Sequence, residues 1–260
     1  MKLQLRKNIM FKKLRIISVD IDHLSFSESL DKVMDLALQR KSSYVCFANV
    51  HMTIEAHKDP SFLKKVNNAD LVLPDGKPLA IACDILYNEK QERICGMDFT
   101  PRILETANEK KISVFIYGST SDIIKATEEK MNKMYPNVHL AGAISPPFQN
   151  LSNEEIKAHI DKINQSGAHV VLVALGCPKQ EKWMAENSNK INSVLLGIGG
   201  ALPVLAGLEK RAPRWMQNMA LEWTYRLFQQ PRKLFTRYFY TNSYFIFLLS
   251  KNWIKTLLSK

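Results

Sequence analysis

The residues best suited to chemistry follow apolar segments that have the composition of buried strands. Asp75 follows one such segment directly, in the turn Pro74-Asp75-Gly76. At the carboxyl end of a parallel strand, a carboxylate faces the ligand crevice and can act as a general base toward a hydroxyl group. Pro-Asp-Gly is also favourable turn chemistry, so position alone supports the catalytic and the structural interpretation equally.

Glycine-containing segments at two other strand ends favour contacts with a phosphate. Gly176 opens a segment typical of a strand-to-helix turn, whose backbone N–H groups can receive an anion. Gln180 and Glu181 in that segment can hydrogen-bond a sugar or a nucleotide, although a tight turn with a helix cap is an equally good interpretation. The segment around Gly199 is a weak match to a dinucleotide loop, because Leu202 stands where the third glycine is needed.

Metal binding and thiol chemistry have weaker support. Asp20-Ile-Asp22 resembles the metal-binding D-x-D pattern of many nucleotide-sugar enzymes, but a three-residue pattern often arises by chance. The histidines lack ligand spacing, and the four cysteines show neither C-x-x-C pairing nor zinc spacing. They are typical of reduced cytosolic thiols. Cys177 has no histidine in an obviously partnered position, which favours a buried or bystander thiol over a nucleophile.

Positive charge is concentrated at the C-terminal end of the chain. Residues 211–260 contain nine Lys or Arg and one acid, Glu222, whereas the preceding 210 residues contain 27 Lys or Arg and 24 acids. The same 50 residues hold 12 of the 24 aromatic residues. A basic and aromatic segment indicates an anionic partner with an apolar side, such as a membrane surface or RNA. Guanidinium groups bind phosphate bidentately, and five arginines lie in or beside this segment: Arg211, Arg214, Arg226, Arg232 and Arg237.

The elements that must position these residues alternate between short β-branched segments and helical patterns up to about Leu208. This alternation predicts an α/β fold with a mostly parallel, Rossmann-like sheet and helices on both faces. Capping boxes at Ser25 and Ser152 mark two helix starts, Pro101 fits the first turn of a third, and Gly167 ends the helix from Asn153. The predicted strands are Leu14–Val19, Tyr44–Ala48, Ala69–Leu73, Ile112–Tyr117, Val138–Ala141, His169–Leu175 and Ser193–Leu196.

Beyond Leu208 the strand–helix alternation stops, which predicts a catalytic domain of residues 1–208 and a helical appendage of residues 209–260. Residues 213–230 are predicted to form one helix that Pro231 breaks or bends. An amphipathic helix with interruptions at Asn242 and Ser243 follows. The pattern alone fits a helix packed on the protein's own core equally well, and the charge favours a membrane-surface helix. The chain has no segment of about 20 apolar residues, and its first 13 residues have no apolar signal segment.

Two function classes are suggested by a parallel α/β sheet and a basic C-terminal segment. A nucleotide-dependent oxidoreductase needs an intact glycine fingerprint after the first strand, and Val19-Asp-Ile-Asp-His23 lacks one. A basic nucleic-acid-binding α/β protein is the non-enzyme alternative, and it predicts salt-sensitive RNA binding by residues 211–260.

Ordered segments between about Val19 and Asn242 resemble the WecG/TagA/CpsF family of glycosyltransferases. The resemblance rests on Asn49-Val-His51, Leu73-Pro-Asp-Gly76, Arg93-Ile-Cys-Gly96, Tyr117-Gly118, Gly142 with Ser145-Pro-Pro-Phe148, Gly176 to Glu181, Arg211-Ala-Pro213, and Leu221-Glu-Trp-Thr-Tyr-Arg226 with Pro231-Arg232. Two departures bear on the choice of donor sugar. Phe47 replaces a threonine of the teichoic-acid members, and Leu202-Pro203 replaces the usual Phe-Asp.

The resemblance implies a hexosyltransferase, inverting and metal-independent, that needs no other cofactor. Its donor would be a UDP-sugar and its acceptor a polyprenyl-diphosphate-linked sugar in polysaccharide or teichoic-acid assembly. It implies that Asp75 is the base and that the pocket includes Asn49, Arg93 and Gln180. We predict Glu181, Gly118, Gly176 and Gly199 as further binding positions. The arginine-rich appendage would close the site, bind the diphosphate and attach a cytoplasmic protein to the inner face of the cell membrane. A homo-oligomer is an open alternative, and the sugars and linkage are not implied.

Overall fold

A computed structural model describes residues 11–147, 149 and 151–258, without the side chains of Lys233 and Leu257. Residues 1–10 and Phe148 of the Ser-Pro-Pro-Phe loop therefore lie outside the described residues. The predicted α/β architecture is confirmed. Six strands form one parallel sheet in the order β4-β3-β8-β7-β5-β6, and two form a separate antiparallel pair. The strands are β1 Lys13–Ile16, β2 Val19–Asp22, β3 Ser43–Ala48, β4 Leu71–Pro74, β5 Ser113–Gly118, β6 His139–Ile144, β7 Val170–Ala174 and β8 Val194–Gly197.

Helices cover both faces of the sheet because buried side chains of each strand alternate between two apolar clusters. In β3, Cys46 belongs to the cluster that contains α2, α3, α4, α7, α8 and α12, whereas Val45 and Phe47 belong to the cluster with α1, α5, α6 and α9. The helices are α1 Phe26–Leu38, α2 Val50–Lys58, α3 Pro60–Asn67, α4 Lys77–Tyr87, α5 Gly96–Lys110, α6 Ser121–Met134, α7 Asn153–Gln165, α8 Lys179–Asn187, α9 Ala201–Leu205, α10 Arg214–Asn218, α11 Glu222–Gln229 and α12 Pro231–Leu258.

The first predicted strand is a hairpin outside the main sheet, which corrects the sequence-based assignment. Ile17 at the turn has a φ of 61°, and β1 pairs with β2 rather than with a sheet strand. The Asp22 carboxylate accepts a hydrogen bond of 2.8 Å from the backbone N–H of Val72 on β4, which is an edge strand. Asp20 pairs with Arg15. The D-x-D segment therefore builds the hairpin and caps a sheet edge, where unpaired N–H groups would otherwise remain.

Three of the four helix-end signals in the α/β body are confirmed, and the fourth is corrected. Both predicted capping boxes are present, at Ser25 and Ser152, and Gly167 follows the end of α7 with a φ of 63°. Pro101, however, lies inside α5 rather than in its first turn. Helix α5 starts five residues earlier, at Gly96, and this earlier start brings its first N–H groups to the end of β4.

The C-terminal region contains three helices rather than the predicted two. Residues 213–230 form α10 and α11, which are separated at Ala220, where φ is 62°. Helix α12 begins at Pro231 and continues through Asn242 and Ser243, so the predicted interruptions are wrong. One side of α12 is packed on the α/β body, with Leu234, Thr241 and Phe245 buried. No helix in the described part of the chain is both long and apolar enough to cross a membrane.

Candidate active site

Three neighbouring strands, β4, β3 and β8, bring three of the predicted site residues to the carboxyl end of the sheet. Asp75 follows β4, Asn49 follows β3, and Gly199 lies two residues beyond β8. A β-carbon added to Gly76 would lie 3.8 Å from the Asn49 β-carbon, so the ends of β3 and β4 are in contact. The expected crevice residues therefore meet at the carboxyl ends of parallel strands.

Asp75 is held in place at both its backbone and its side chain. Its N–H donates to the carbonyl of Ala48 at 2.8 Å, and its Oδ1 accepts from the N–H of Gly96 at 2.9 Å. Gly96 is the first residue of α5, so the carboxylate lies at the N-terminal end of a 15-residue helix. Helix N-termini favour negative charge, which suits an ionised carboxylate at this position.

Asn49 and His51 surround the start of α2. The Asn49 Oδ1 caps this helix by accepting from the N–H of Met52 at 3.1 Å. Burial lowers the pKa of His51, and the charge of Arg237 on α12 lowers it further. Helix α12, which carries Arg237, packs against α2 and so joins the C-terminal region to the end of β3.

Gln180 connects the two glycine turns through hydrogen bonds to their backbones. Its Oε1 accepts from the N–H of Gly176 at 3.1 Å, and its Nε2 donates to the carbonyl of Gly197 at 2.9 Å. A β-carbon on Gly199 would lie 3.1 Å from the Gln180 Oε1. The predicted free N–H at Gly176 is therefore occupied by Gln180, and Gln180 shapes the turns from within the protein.

Glu181 is enclosed beside Gln180 and Cys177. Its Oε1 accepts a hydrogen bond from Gln180 at 2.7 Å. Its buried Oε2 has no hydrogen-bond partner within bonding geometry among the described residues. Burial raises the pKa of the Glu181 carboxyl to about 7. Burial and the proximity of Glu181 raise the pKa of the Cys177 thiol, which opposes a role as a thiolate nucleophile.

Gly118 lies at the end of β5, where the backbone conformation and the close approach of another strand both favour glycine. Its φ is 107°, and an added β-carbon would lie 2.6 Å from the carbonyl carbon and oxygen of Ala174 on β7. β5 is separated from β8 by β7, so Gly118 shapes the sheet edge two strands away from Gly199.

Arg93 and Arg211 lie in a cluster of opposite charges rather than facing open solvent. Arg93 donates to Glu222 at 2.8 Å and to Asp98 at 2.9 Å, and Arg211 donates to Asp98 at 2.8 Å. Burial opposes ionisation of Asp98, but its hydrogen bond to Arg211 and the two arginine charges lower the pKa below its usual range. The cluster links the α5 start to the C-terminal region.

Arg226 extends from α11 to the last glycine turn. A β-carbon on Gly200 would lie 2.8 Å from the Arg226 Nη2, so this guanidinium lies directly against the backbone of the turn. Burial raises the pKa of Tyr238, and the charges of Arg226 and Asp75 are among those that act on this phenol. Arg226 and Asp75 both lie close enough to Tyr238 for their charges to act on its phenol, whereas Arg214 and Arg232 are exposed.

Sequence reasoning missed Asp98, Glu222 and Tyr238 at this site. Glu222 had a usable signal, since it is the single acid among nine cations in residues 211–260. Asp98 had none, because its link to the C-terminal region depends on Arg211, which lies 113 positions away. Among the described residues, no group of three or more His, Cys, Asp or Glu side chains has the arrangement of a metal site.

Sequence comparison identifies the family. The profile of the family described as "Glycosyl transferase WecG/TagA/CpsF family" matches residues 14–258. The chain belongs to this family. It is therefore a glycosyltransferase, and the family match covers the Asp75 site and the three C-terminal helices together.

Curated relatives of the WecG/TagA/CpsF family share 26–32% identity with this chain. A Bacillus subtilis (strain 168) protein is 32% identical over 194 residues, which is 74% of each chain. A Staphylococcus aureus (strain NCTC 8325 / PS 47) protein is 26% identical over 217 residues, 82% of this chain and 84% of the relative. Both are named N-acetylglucosaminyldiphosphoundecaprenol N-acetyl-beta-D-mannosaminyltransferase.

Proposed function

We propose that this protein transfers a sugar from a UDP-sugar to a polyprenyl-diphosphate-linked acceptor sugar, with inversion at the anomeric carbon. The single observation that carries the proposal is that Asp75 and Arg226 both adjoin the glycine turn after β8: Asp75 is bonded to Gly96, which lies against the carbonyl of Ile198, and Arg226 lies against Gly200. One group can accept a proton and the other can bind a diphosphate. The names of the relatives support an acceptor that carries N-acetylglucosamine on a lipid diphosphate.

Asp75 would act as the general base. As the acceptor hydroxyl attacks the anomeric carbon from the face opposite UDP, the carboxylate would take its proton. The bond from Gly96 N–H to Oδ1 holds the carboxylate in one orientation, and a fixed orientation is what a base needs toward a positioned hydroxyl. Asn49 lies beside Asp75 and would contact the bound sugar.

Arginine side chains would stabilise the departing diphosphate in place of a metal ion. Arg226 lies against Gly200, and Arg237 lies near His51 on the next strand end. No carboxylate is within ion-pair distance of Arg226 in the part of the chain that the structure describes, so its charge is available to a ligand. Fixed cations aimed at developing negative charge lower the barrier for departure of such a group.

The acceptor lipid would place the enzyme at the inner face of the cell membrane. Large apolar side chains are exposed on α10, α11 and α12, among them Trp215, Phe228 and Phe239. The same region carries the excess of positive charge, which suits a surface of anionic lipids. The acceptor diphosphate would then meet Asp75 and the arginines at the boundary between body and membrane.

Phe47 bears on the identity of the donor sugar. The ring is buried, makes an edge contact with Phe99 at 5.3 Å, and lies 3.7 Å from the position of a β-carbon on Gly96. It therefore supplies an apolar wall beneath the Asp75 loop and no hydroxyl. The relatives' names favour N-acetylmannosamine as donor. Phe47 and Leu202-Pro203 depart from the teichoic-acid pattern, and the sequence Ser145-Pro-Pro-Phe148 favours testing glucose and a uronic acid as well.

The direct test is a transfer assay with purified protein. A panel of UDP-sugars is incubated with a short-chain prenyl-diphosphate sugar, with and without chelator, and products are identified by mass. We expect one additional sugar on the lipid and equal turnover with chelator. No transfer from any UDP-sugar, or loss of turnover with chelator, would contradict the corresponding part of the proposal. Salt-sensitive RNA binding without vesicle binding would instead favour the nucleic-acid alternative.

A further inference from the structure

Four side chains form one charge-balanced cluster between the α/β body and the C-terminal region. Arg93 and Asp98 belong to the body, and Arg211 and Glu222 belong to the C-terminal region. Arg93 bonds to both carboxylates at 2.8 and 2.9 Å, and Arg211 bonds to both oxygens of Asp98. Arg93 therefore bridges the two acids, and Arg211 binds Asp98 through two hydrogen bonds. These bonds fix the relative orientation of the side chains as well as the distances between them.

The four side chains of the cluster are partly buried. The side chains of Arg93, Glu222 and Arg211 are 16%, 18% and 22% exposed, whereas that of Asp98 is 37% exposed. Two positive and two negative charges cancel, so the cluster places no net charge in this partly buried position. Removal of one carboxylate would leave a partly buried arginine without its partner, which costs more than the loss of a surface pair.

Helices α10 and α11 have little apolar burial of their own. Neither helix contains a single fully buried residue. Glu222 is the first residue of α11, and Gln217 of α10 also accepts from Arg93, at 3.3 Å. Polar contacts to Arg93 therefore attach both short helices to the body.

Glu222 and Arg226 are four positions apart on α11 and so lie on the same side of the helix. At one end of this side Glu222 is bonded to Arg93, and one turn later Arg226 contacts Gly200. The position of the Glu222 anchor thus determines where the Arg226 guanidinium lies relative to the glycine turn.

We propose that Asp98 and Glu222 are positioning residues, which dock α11 on the body and thereby place Arg226 against Gly200. Only one consequence of this role, the binding of a diphosphate by Arg226, rests on the proposed function. The docking itself is a property of the protein without ligand. Arg93 and Arg211 then serve chiefly as the partners of these two acids, while Arg226 keeps its charge for the ligand.

Hydrogen exchange of the unliganded full-length protein tests the docking. In Glu222→Gln and in Asp98→Asn we expect amides of residues 214–229 to exchange at least about tenfold faster than in the wild type, while the sheet strands are unchanged. Glu105→Gln is the matched control, since it removes an exposed ion pair with Arg102 from the same helix as Asp98. Unchanged exchange in residues 214–229 in both variants would overturn the proposal.

A double-mutant cycle on UDP affinity tests the consequence. We expect Glu222→Gln and Arg226→Ala each to weaken UDP binding about tenfold, and the double variant to bind no more weakly than Arg226→Ala alone. Additive losses would mean that Glu222 does not act through Arg226 and would overturn the positioning role. If wild-type protein bound no UDP, the proposed function would fail, and the exchange measurement would still decide the docking.

Discussion

Asp75 combines a fixed side chain with a position at the end of a buried strand. Its Oδ1 is bonded to Gly96, and its backbone N–H is bonded to Ala48. An amide side chain at this position keeps an oxygen for the Gly96 N–H but loses the ability to accept a proton. The residue can therefore be changed in its chemistry without losing its structural bond.

We predict that Asp75→Asn lowers turnover by about 10²–10⁴-fold, because it removes the base and leaves the pocket intact. The measurement is the initial rate of sugar transfer to the lipid acceptor, with circular dichroism to verify the fold. Asp84→Asn is the matched control, since Asp84 is exposed on α4, the helix that follows the Asp75 turn. Equal rates in the wild type and Asp75→Asn would remove Asp75 from the catalytic role.

Glu181 predicts a dependence of stability on pH with a defined sign. Its folded-state pKa is raised from 4.5 to about 7. The folded state therefore holds the proton more tightly than the unfolded chain, and stability falls as pH rises from about 4.5 through about 7. Glu181→Gln removes the titrating carboxyl group and with it this loss of stability at high pH. We expect the variant to be more stable than wild type by about 2–3 kcal/mol at pH 8 and by little at pH 5.

Denaturant unfolding of both proteins at pH 5 and pH 8 measures this difference. Glu128→Gln, on the exposed side of α6, should show the same stability difference from wild type at both pH values. A Glu181→Gln variant less stable than wild type at pH 8 would contradict the prediction, and would mean that the ionised carboxylate is needed where it lies.

Residue type alone could place Asp75 but could not orient Gln180 and Glu181. A carboxylate that directly follows a buried strand must lie at the sheet edge, so Asp75 follows from the pattern. Gln180 and Glu181 lie in the first turn of α8, and their directions depend on how that helix is rotated against the sheet. Here both side chains lie within the protein, with Gln180 bonded to the glycine turns. Direct contact of Gln180 with substrate stays a prediction.

Individual elements were predictable where local chemistry determines them. Six parallel strands and the two capping boxes follow from short-range signals. Short-range signals did not predict the β1–β2 hairpin or the separation of α10 from α11. Each of these features depends on one residue with positive φ, Ile17 in the hairpin and Ala220 between the helices. Neither residue type favours that conformation, so tertiary contacts must impose it.

Gly118 allows a test of the steric fit between the ends of β5 and β7. We predict that Gly118→Ala destabilises the protein by about 3 kcal/mol or more, because the methyl group would overlap the Ala174 backbone in addition to a positive φ. Gly176→Ala is the matched control. It has a φ of 80° but open space around the added carbon, so backbone strain alone should cost about 1–2 kcal/mol.

Urea unfolding at equilibrium gives both free energies of unfolding. The informative quantity is the difference between the two alanine variants, since it isolates the steric overlap from the conformational cost. Equal destabilisation would show that the β5 and β7 ends can separate without cost, and the tight approach at Gly118 would then have no structural importance.

At the scale of the whole molecule, α12 is apolar on two sides for two different reasons. Phe245 faces inward and belongs to the same core cluster as Cys46 of the central sheet. Phe235, Phe239 and Phe247 face outward and are 61–71% exposed. The sequence indicated one apolar side, because a pattern cannot separate residues that face the core from residues that face a partner. The inward side also means that removal of residues 209–260 would uncover the core.

Outward-facing aromatic residues within a basic region therefore predict membrane attachment that can be removed by point substitutions rather than by truncation. We expect the wild type to sediment with vesicles containing anionic lipid, and to bind neutral vesicles or vesicles in high salt much more weakly. The triple substitution Phe235→Ser, Phe239→Ser and Phe247→Ser should lower the partition coefficient by at least about 100-fold, since each phenyl ring contributes about 1.5–3 kcal/mol on burial.

The matched control changes exposed apolar residues of the α/β body, Leu38→Ser and Met134→Ser, and should leave the partition coefficient unchanged. Rates measured with a water-soluble short-chain acceptor separate membrane attachment from catalysis. Because Asp75 and Arg226 do not depend on the outward rings, the triple variant should retain this activity while losing activity on vesicle-embedded acceptor. Undiminished vesicle binding by the triple variant would mean that charge alone attaches the protein, and that the exposed rings serve contact with another protein surface.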